Sequence, residues 1–174
     1  MAGQGGGSQV VVVMGPSASG KSTVARRLAE ELGVPFMEGD DLHPAANRAK
    51  MAAGHPLNDA DRRPWIAALS AWIRSAARAD GGVATCSALK RAYRDQFRST
   101  GANVWFVFLK VDPEVAAQRI AQRKGHFMPP ELIRSQYAAL EPLQGDEPGV
   151  TIDASGSAAE VADTVLRAVT EQGR

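Results

Sequence analysis

Residues 10–23 read VVVVMGPSASGKST, and the order of these letters decides the architecture. Four β-branched residues, Val10 to Val13, lead into Met14 with no polar alternation, the pattern of a central strand buried on both faces. The next eight residues, Gly15-Pro16-Ser17-Ala18-Ser19-Gly20-Lys21-Ser22, fit G-x-x-x-x-G-K-[ST]. From Lys21 onward Val24, Ala25, Leu28, Ala29 and Leu32 recur at helical spacing, and Gly33 closes the run. A strand, a glycine-bounded loop and a helix together supply the context this motif requires. Backbone N–H groups of such a loop converge on phosphate oxygens, and the helix N-terminus adds partial positive charge. Lys21 then reaches the β- and γ-phosphates of a nucleotide, and the Ser22 hydroxyl ligates Mg²⁺. Gly15, Ser17, Ala18, Ser19, Gly20 and Thr23 complete the expected nucleotide cradle.

Outward from this unit, short apolar runs at Val34–Met37, Gly82–Cys86, Val104–Val111 and Val150–Asp153 predict further strands. Helical patterns occupy Pro44–Ala53, Asp59–Ala79, Tyr93–Ser99, Pro113–Arg123, Pro130–Leu140 and Ser157–Glu171. Strands alternating with helices imply an α/β fold with a parallel sheet covered on both faces. Ligands of such sheets sit at the carboxyl ends of the strands. Chemistry is therefore sought in Gly15–Thr23, Glu38–His43, Ser87–Lys90 and Lys110–Asp112.

The chain has 174 residues, 44% of them hydrophobic and 22% charged, which suits one globular domain. A net charge of +1 gives no global field for nucleic acid or an anionic membrane. No apolar stretch nears the ~20 residues of a membrane helix. The glycine-rich start lacks the basic and apolar regions of a signal peptide, so residues 1–8 read as a disordered leader to a single domain at 9–174. The single cysteine, Cys86, excludes an internal disulfide and reads as a packed core thiol. A cytoplasmic setting is expected. Trp65, Trp72 and Phe106 sit in apolar patterns and are assigned to the core.

The second strand ends in Glu38-Gly39-Asp40-Asp41-Leu42-His43-Pro44. Carboxylates facing a γ-phosphate could hold metal through water or accept a hydroxyl proton. Either aspartate could also cap the helix that follows. Asn47, Arg48 and Lys50 place polar and basic groups just beyond the acidic strand end, where an anionic acceptor would be held. Asn58 or Asp59 reads as the next helix cap, and Arg62 follows within reach of an anion. Lys90 and Arg94 lie in a second basic cluster after Cys86-Ser87, with Arg91 on the surface. A helical region at about 41–80 is thus the expected acceptor-binding part. Arg119 and Arg123 close a later helix at i, i+4 spacing and precede Gly125 and His126. That arrangement suits a lid at about 123–131 that lays cations over the transferring phosphate.

In this order the stretches resemble the gluconate kinases (gluconokinases), P-loop small-molecule kinases related to shikimate kinase and adenylate kinase. The resemblance is carried by GPSASGKST, GDDLHP at 39–44, NRAKMAAGHPLND at 47–59, DRRPW at 61–65, CSALKRAYRD at 86–95 and RKGHFMPPELIRSQYAALEP at 123–142. The phosphate loop is generic; the acceptor-side stretches are far more specific. The resemblance implies ATP-dependent phosphorylation of D-gluconate to 6-phospho-D-gluconate, feeding the pentose phosphate or Entner–Doudoroff route. It implies a three-layer fold with five parallel strands in the order 2-3-1-4-5, a helical acceptor flap, a lid and a homodimer. Asp40 matches the acidic residue expected at the acceptor hydroxyl, and Glu38 stands where such kinases often carry aspartate. Pro16 and Ala18 replace the usual Val and Gly of the loop. For a polyhydroxy carboxylate the acceptor set is Asp40, His43, Asn47, Arg48, Lys50, Arg62, Lys90, Arg94 and His126. Lys21, Arg119 and Arg123, with Mg²⁺, would neutralise the γ-phosphoryl charge. The competing reading is a kinase of the same fold for another hydroxylated acceptor such as shikimate. A guanine-nucleotide switch would carry N-K-x-D, which the chain lacks. Nucleic-acid binding would call for interleaved aromatic and basic residues.

Overall fold

The valine run lies at the centre of a five-stranded parallel sheet in a computed structural model, which describes residues 8–87, 90–122 and 130–172. The strands are β1 (Val10–Met14), β2 (Phe36–Met37), β3 (Gly82–Cys86), β4 (Val104–Lys110) and β5 (Gly149–Asp153), in the order β2-β3-β1-β4-β5. β1 pairs in register with β3, Val10 beside Gly82, and with β4, Val10 beside Val104. The helices are α1 (Lys21–Leu32), α2 (Ala45–Ala52), α3 (Asp59–Arg78), α4 (Arg91–Arg98), α5 (Pro113–Gln122), α6 (Pro130–Ala139) and α7 (Ala158–Gln172).

Because side chains alternate across a strand, β1 feeds two cores. Val10, Val12 and Met14 pack with Trp65, Ile66, Leu69 and Ile73 of α3 and with Phe97 of α4. Val11 and Val13 pack with Val24, Ala25 and Leu28 of α1 and with Val161 and Val165 of α7. Each large side chain buried this way contributes about 1.5–3 kcal/mol. Together they fix the strand ends on which the site is built. Cys86, 1% exposed, and Trp65 and Phe106 take their expected core places, while Trp72 packs partly buried at the edge of the first core.

Three departures from the sequence reading have identifiable causes. A 3-10 turn, Gly39–Leu42, forms where the sequence carries no helical period, closed by Asp41 N–H donating to the Glu38 carbonyl and His43 N–H to that of Asp40. α4 starts two residues earlier than the apolar pattern predicts, because Glu141 accepts from Arg91 N–H at 2.8 Å and secures that basic first turn. Ser8, assigned to the leader, is anchored: its N–H and hydroxyl donate to the Ala77 and Ala79 carbonyls at 3.0 and 2.9 Å. Residues 1–7 and 123–129 lie outside the described residues, so the leader and most of the expected lid do too.

Candidate active site

β1 delivers the chain to the loop at the middle of the sheet, and the loop turns there because its backbone reaches conformations that side chains resist. Gly15 has φ +151°, and a Cβ on it would lie 2.7 Å from the Leu109 carbonyl oxygen. Ala18 takes φ +66°, the one positive φ outside glycine among the described residues. Its methyl is packed with Val111, Ala116 and Ile120, which holds the residue in a conformation that costs about 1 kcal/mol or more. Lys21 reaches back across the loop, its Nζ donating to the carbonyls of Gly15 at 2.9 Å and Pro16 at 3.1 Å.

Beside the loop, Ser22 Oγ donates to Glu38 Oε2 at 2.5 Å, and Thr85 Oγ1 donates to Glu38 Oε1 at 2.5 Å. The Thr85 hydroxyl in turn accepts from Gly39 N–H at 3.0 Å. One carboxylate thus joins the start of α1, the end of β2 and the end of β3. Gly39 fits only as glycine, since a Cβ there would lie 2.0 Å from the Thr85 carbonyl oxygen. Trp65 Nε1 donates to the Gly39 carbonyl at 2.8 Å and locks the turn from below. Magnesium is held in phosphotransferases by one or two hard oxygen ligands plus substrate phosphates. Ser22 with Glu38 is a donor set of that kind, with exposed Asp40 two residues on.

Across from the loop, α2 and the start of α3 carry the polar groups. His43 is buried and stacks on Trp65 with ring centroids 4.2 Å apart. Asn47 Nδ2 lies 3.2 Å from His43 Nδ1 and donates to the Asp61 carbonyl at 2.8 Å. An amide NH₂ only donates, so Nδ1 is the acceptor and the histidine proton sits on Nε2. Burial lowers the His43 pKa from its ordinary value, with Asp40 opposing and Arg48 and Arg62 assisting. Asn58 caps α3, accepting from Asp61 N–H at 2.8 Å while Asp61 accepts from Asn58 N–H, a reciprocal capping box. The same Asp61 carboxylate takes Lys50 Nζ at 2.6 Å, and this bond with the Asn58 N–H lowers its pKa.

A second carboxylate gathers the remaining cations. Asp59 accepts from Lys90 Nζ at 2.9 and 3.1 Å and from the Tyr93 hydroxyl, and Arg62 donates to that hydroxyl at 3.2 Å. The Tyr93 and Lys90 bonds lower the Asp59 pKa, while Asp59 raises that of Lys90. Burial, then the bond to Asp59, raises Tyr93.

Not every expected ligand stands in this cleft. Arg94 is fully buried and pairs with Glu147, also donating to the Glu141 and Pro142 carbonyls at 2.9 and 3.3 Å. Its guanidinium is a structural clamp and does not face an acceptor. Arg48 turns back from α2 onto the backbone of the turn before it, donating to the Asp41 and His43 carbonyls at 2.6 and 3.2 Å. Arg119 donates to Ala18 O at 3.0 Å, Ala154 O at 2.7 Å and Gly156 O at 3.3 Å. It stands in a cavity of about 350 Å³ with Ala18, Ser19, Gly20, Thr23 and Ser157. Arg123 and His126 lie outside the described residues. Thr85, Asp59 and Tyr93 were not singled out from the sequence as site residues. Thr85 sits inside an apolar strand and carries no signal there, whereas Asp59 and Tyr93 follow cap and strand-end positions where a search could have found them.

A parallel sheet with a phosphate loop at its central strand, a hydroxyl–carboxylate pair beside it and a cation-bearing helical region opposite define a P-loop phosphotransferase for a small acceptor. Comparison with known proteins narrows the class. Residues 10–143 match the sequence family described as an AAA domain. The chain is 46% identical to a gluconokinase of Gluconobacter oxydans over 158 residues, 90% of this chain and 89% of that one. It is 42% identical to the thermoresistant gluconokinase of Escherichia coli, over 82% of each chain. The crystal structure of a gluconokinase from Sinorhizobium meliloti superposes with a TM-score of 0.88 at 41% identity, covering 96% of this chain and 94% of that one. The chain belongs to the gluconokinase family of P-loop kinases. The expected strand order 2-3-1-4-5 is the observed one. No helix among the described residues is long and apolar enough to cross a membrane.

Proposed function

We propose that the chain transfers the γ-phosphoryl group of ATP to the 6-hydroxyl of D-gluconate, giving ADP and 6-phospho-D-gluconate. The observation that carries this reading is that two polar clusters are tied together through the Gly39–Leu42 turn, where Trp65 binds the Gly39 carbonyl and stacks on His43. The Ser22–Glu38 pair lies at the phosphate loop, and Lys50, Arg62 and Lys90 form the other cluster, each held near a carboxylate of α3. Cations tethered in this way suit an acceptor that brings its own carboxylate. Two relatives 46% and 42% identical to the chain bear the name gluconokinase, which fits that acceptor.

In the reaction the 6-oxygen attacks the γ-phosphorus, and the bond from that phosphorus to the β–γ bridging oxygen breaks. The hydroxyl proton passes to the Asp40 carboxylate. The loop N–H groups and Lys21 hold the phosphates and stabilise the charge on the transferring group, and loss of such a donor costs about 10²–10³ in turnover. Mg²⁺, held through Ser22 with Glu38 behind it, supplies neutralisation of phosphate charge when bound. His43, through its Nε2 proton, and Asn47 orient acceptor hydroxyls, while Lys50, Arg62 and Lys90 receive its carboxylate. Arg119, Thr23 and the residues beside them wall the nucleoside side of the loop. A homodimer in the cytoplasm, with no nucleic acid or membrane partner, completes the reading.

The test is ADP release with Mg-ATP and, in turn, gluconate, shikimate, glucose, AMP or no acceptor. Turnover with gluconate alone is expected. Turnover with shikimate instead would keep the phosphoryl chemistry and replace the acceptor. Near-normal turnover of Asp40→Asn would overturn its role as proton acceptor.

A further inference from the structure

Gln136 lies in α6, more than a hundred residues from the phosphate loop in sequence, yet it makes a reciprocal pair with it. Its Oε1 accepts from the Ser17 backbone N–H at 2.8 Å, and its Nε2 donates to Ser17 Oγ at 2.9 Å. The neighbouring Tyr137 hydroxyl donates to the Val111 carbonyl at 2.7 Å, and Ile133 and Tyr137 pack on the cluster formed by Ala18, Val111, Ala116 and Ile120. One face of α6 is therefore seated on the loop, and Gln136 is the residue of that face bonded to loop backbone.

The bonded N–H is one the loop needs for phosphate. Pro16 has no N–H, so Ser17 carries the first donor after Gly15. Lys21 locates which phosphate this donor meets. Its Nζ lies on the carbonyls of Gly15 and Pro16, and a lysine at this motif position serves the β- and γ-phosphates. The opposite flank of the loop, at Ala18–Gly20, opens into the cavity walled by Arg119 and Thr23. The strand-side half, with Ser17, therefore faces the terminal phosphoryl group, and the other half faces the nucleoside.

We propose that Gln136 distinguishes a nucleoside triphosphate from a diphosphate. In the structure its amide oxygen occupies the Ser17 N–H, and Nε2 is held beside it by the serine hydroxyl. A γ-phosphate arriving at that N–H displaces the amide oxygen, which a phosphate anion repels, and turns the NH₂ toward itself. The triphosphate gains a charge-assisted donor from α6 that the diphosphate cannot reach. The assignment rests on the nucleotide-binding part of the reading above, and it names a residue from outside the loop for it.

Equilibrium binding of a non-hydrolysable Mg-ATP analogue and of Mg-ADP to the full chain tests this without any acceptor. Gln136→Ala is expected to weaken the triphosphate analogue about tenfold, the equivalent of one lost charge-assisted bond. ADP affinity should stay within about threefold, which also reports an intact loop. Gln136→Glu keeps the oxygen for Ser17 but brings a negative charge to the γ-phosphate, and should weaken the triphosphate further, by about a hundredfold. Equal weakening of both nucleotides would overturn the proposal and leave Gln136 a scaffold for the loop, and unchanged binding of both would overturn it as well. Wild-type chain that binds neither nucleotide would defeat this inference and the nucleotide site together. If the discrimination holds in a chain that leaves gluconate unphosphorylated, Gln136 keeps its role and the acceptor assignment falls.

Discussion

Arg94 and Glu147 form a two-point ion pair with neither side chain exposed, Nε donating to Oε2 at 2.6 Å and the guanidinium to Oε1 at 2.8 Å. The pair fastens α4 to the segment that leads into β5, across more than fifty residues of sequence. Truncating one partner leaves the other charged and buried, at a cost of about 3–5 kcal/mol. Glu147→Ala should therefore lower unfolding free energy by that amount in urea titration. A double Arg94→Met, Glu147→Leu variant should recover much of it. Burial pushes the Glu147 pKa up, but the bonds from Arg94 and from Gln144 N–H outweigh it and set it below its ordinary value. A lowered folded-state pKa gives stability that is present above pH 4.5 and lost as pH falls through the folded value. The double variant should lose less stability than the wild type between pH 5 and pH 3, a window of about two units set by that carboxylate.

Glu38 receives hydroxyl hydrogen bonds on both oxygens, so its charge and its orientation are both in use. Glu38→Gln offers one acceptor where two hydroxyls donate and removes the negative charge behind Ser22. Such supporting groups are worth about 10–100-fold in metal affinity. The Mg²⁺ concentration for half-maximal turnover should rise by that factor. Binding of ADP in the absence of metal should be unchanged. An unaltered Mg²⁺ dependence would separate Glu38 from the metal.

His43 is held neutral by burial against Trp65, and its pKa lies below the ordinary 6.5. The unfolded chain then binds a proton at a pH where the folded chain does not. Stability from this group is complete above pH 6.5 and declines as pH falls through the folded value. Thermal melts between pH 7.5 and pH 5, a range of about two and a half units, should show a steeper fall for wild type than for His43→Asn. Parallel curves would mean that the imidazole does not titrate in this range.

How much of this was legible in the sequence depends on the range of the interaction. The loop, its strand and its helix are local, and Gly15, Gly20 and Lys21 announce them through spacing alone. The helix caps at Gly33 and Asn58 are local too, and so were the core places of Trp65 and Cys86. Arg94 failed because its basic neighbours suggested a ligand, while the deciding partner, Glu147, comes from a distant segment with no pattern of its own. Thr85 failed for the opposite reason: a hydroxyl inside an apolar strand looks like packing until Glu38 is set beside it. Arg119 reads from the sequence as a lid cation over the transferring phosphoryl group, and its spacing could not show the carbonyls of Ala154 and Gly156 that hold it beside Ala18, because they come from the far edge of the sheet.

Lys90 and Asp59 allow the acceptor subsite to be tested with opposite signs. Lys90, Arg62 and the Tyr93 hydroxyl converge on one carboxylate that belongs to the protein and is largely open to solvent. Exposed pairs of this sort contribute little to stability, so an acceptor carboxylate can displace Asp59 at small cost. Asp59 is then a competitor for the same donors. Lys90→Met should raise the KM for gluconate about 10–100-fold, the loss of one hydrogen bond to a charged group, with kcat within about threefold. Asp59→Asn removes the competing charge but keeps an acceptor oxygen for Tyr93, and should lower that KM. If both variants raise KM, Asp59 orients Lys90 toward the acceptor instead of competing with it, and steady-state kinetics over a range of gluconate concentrations at fixed Mg-ATP decides between the two.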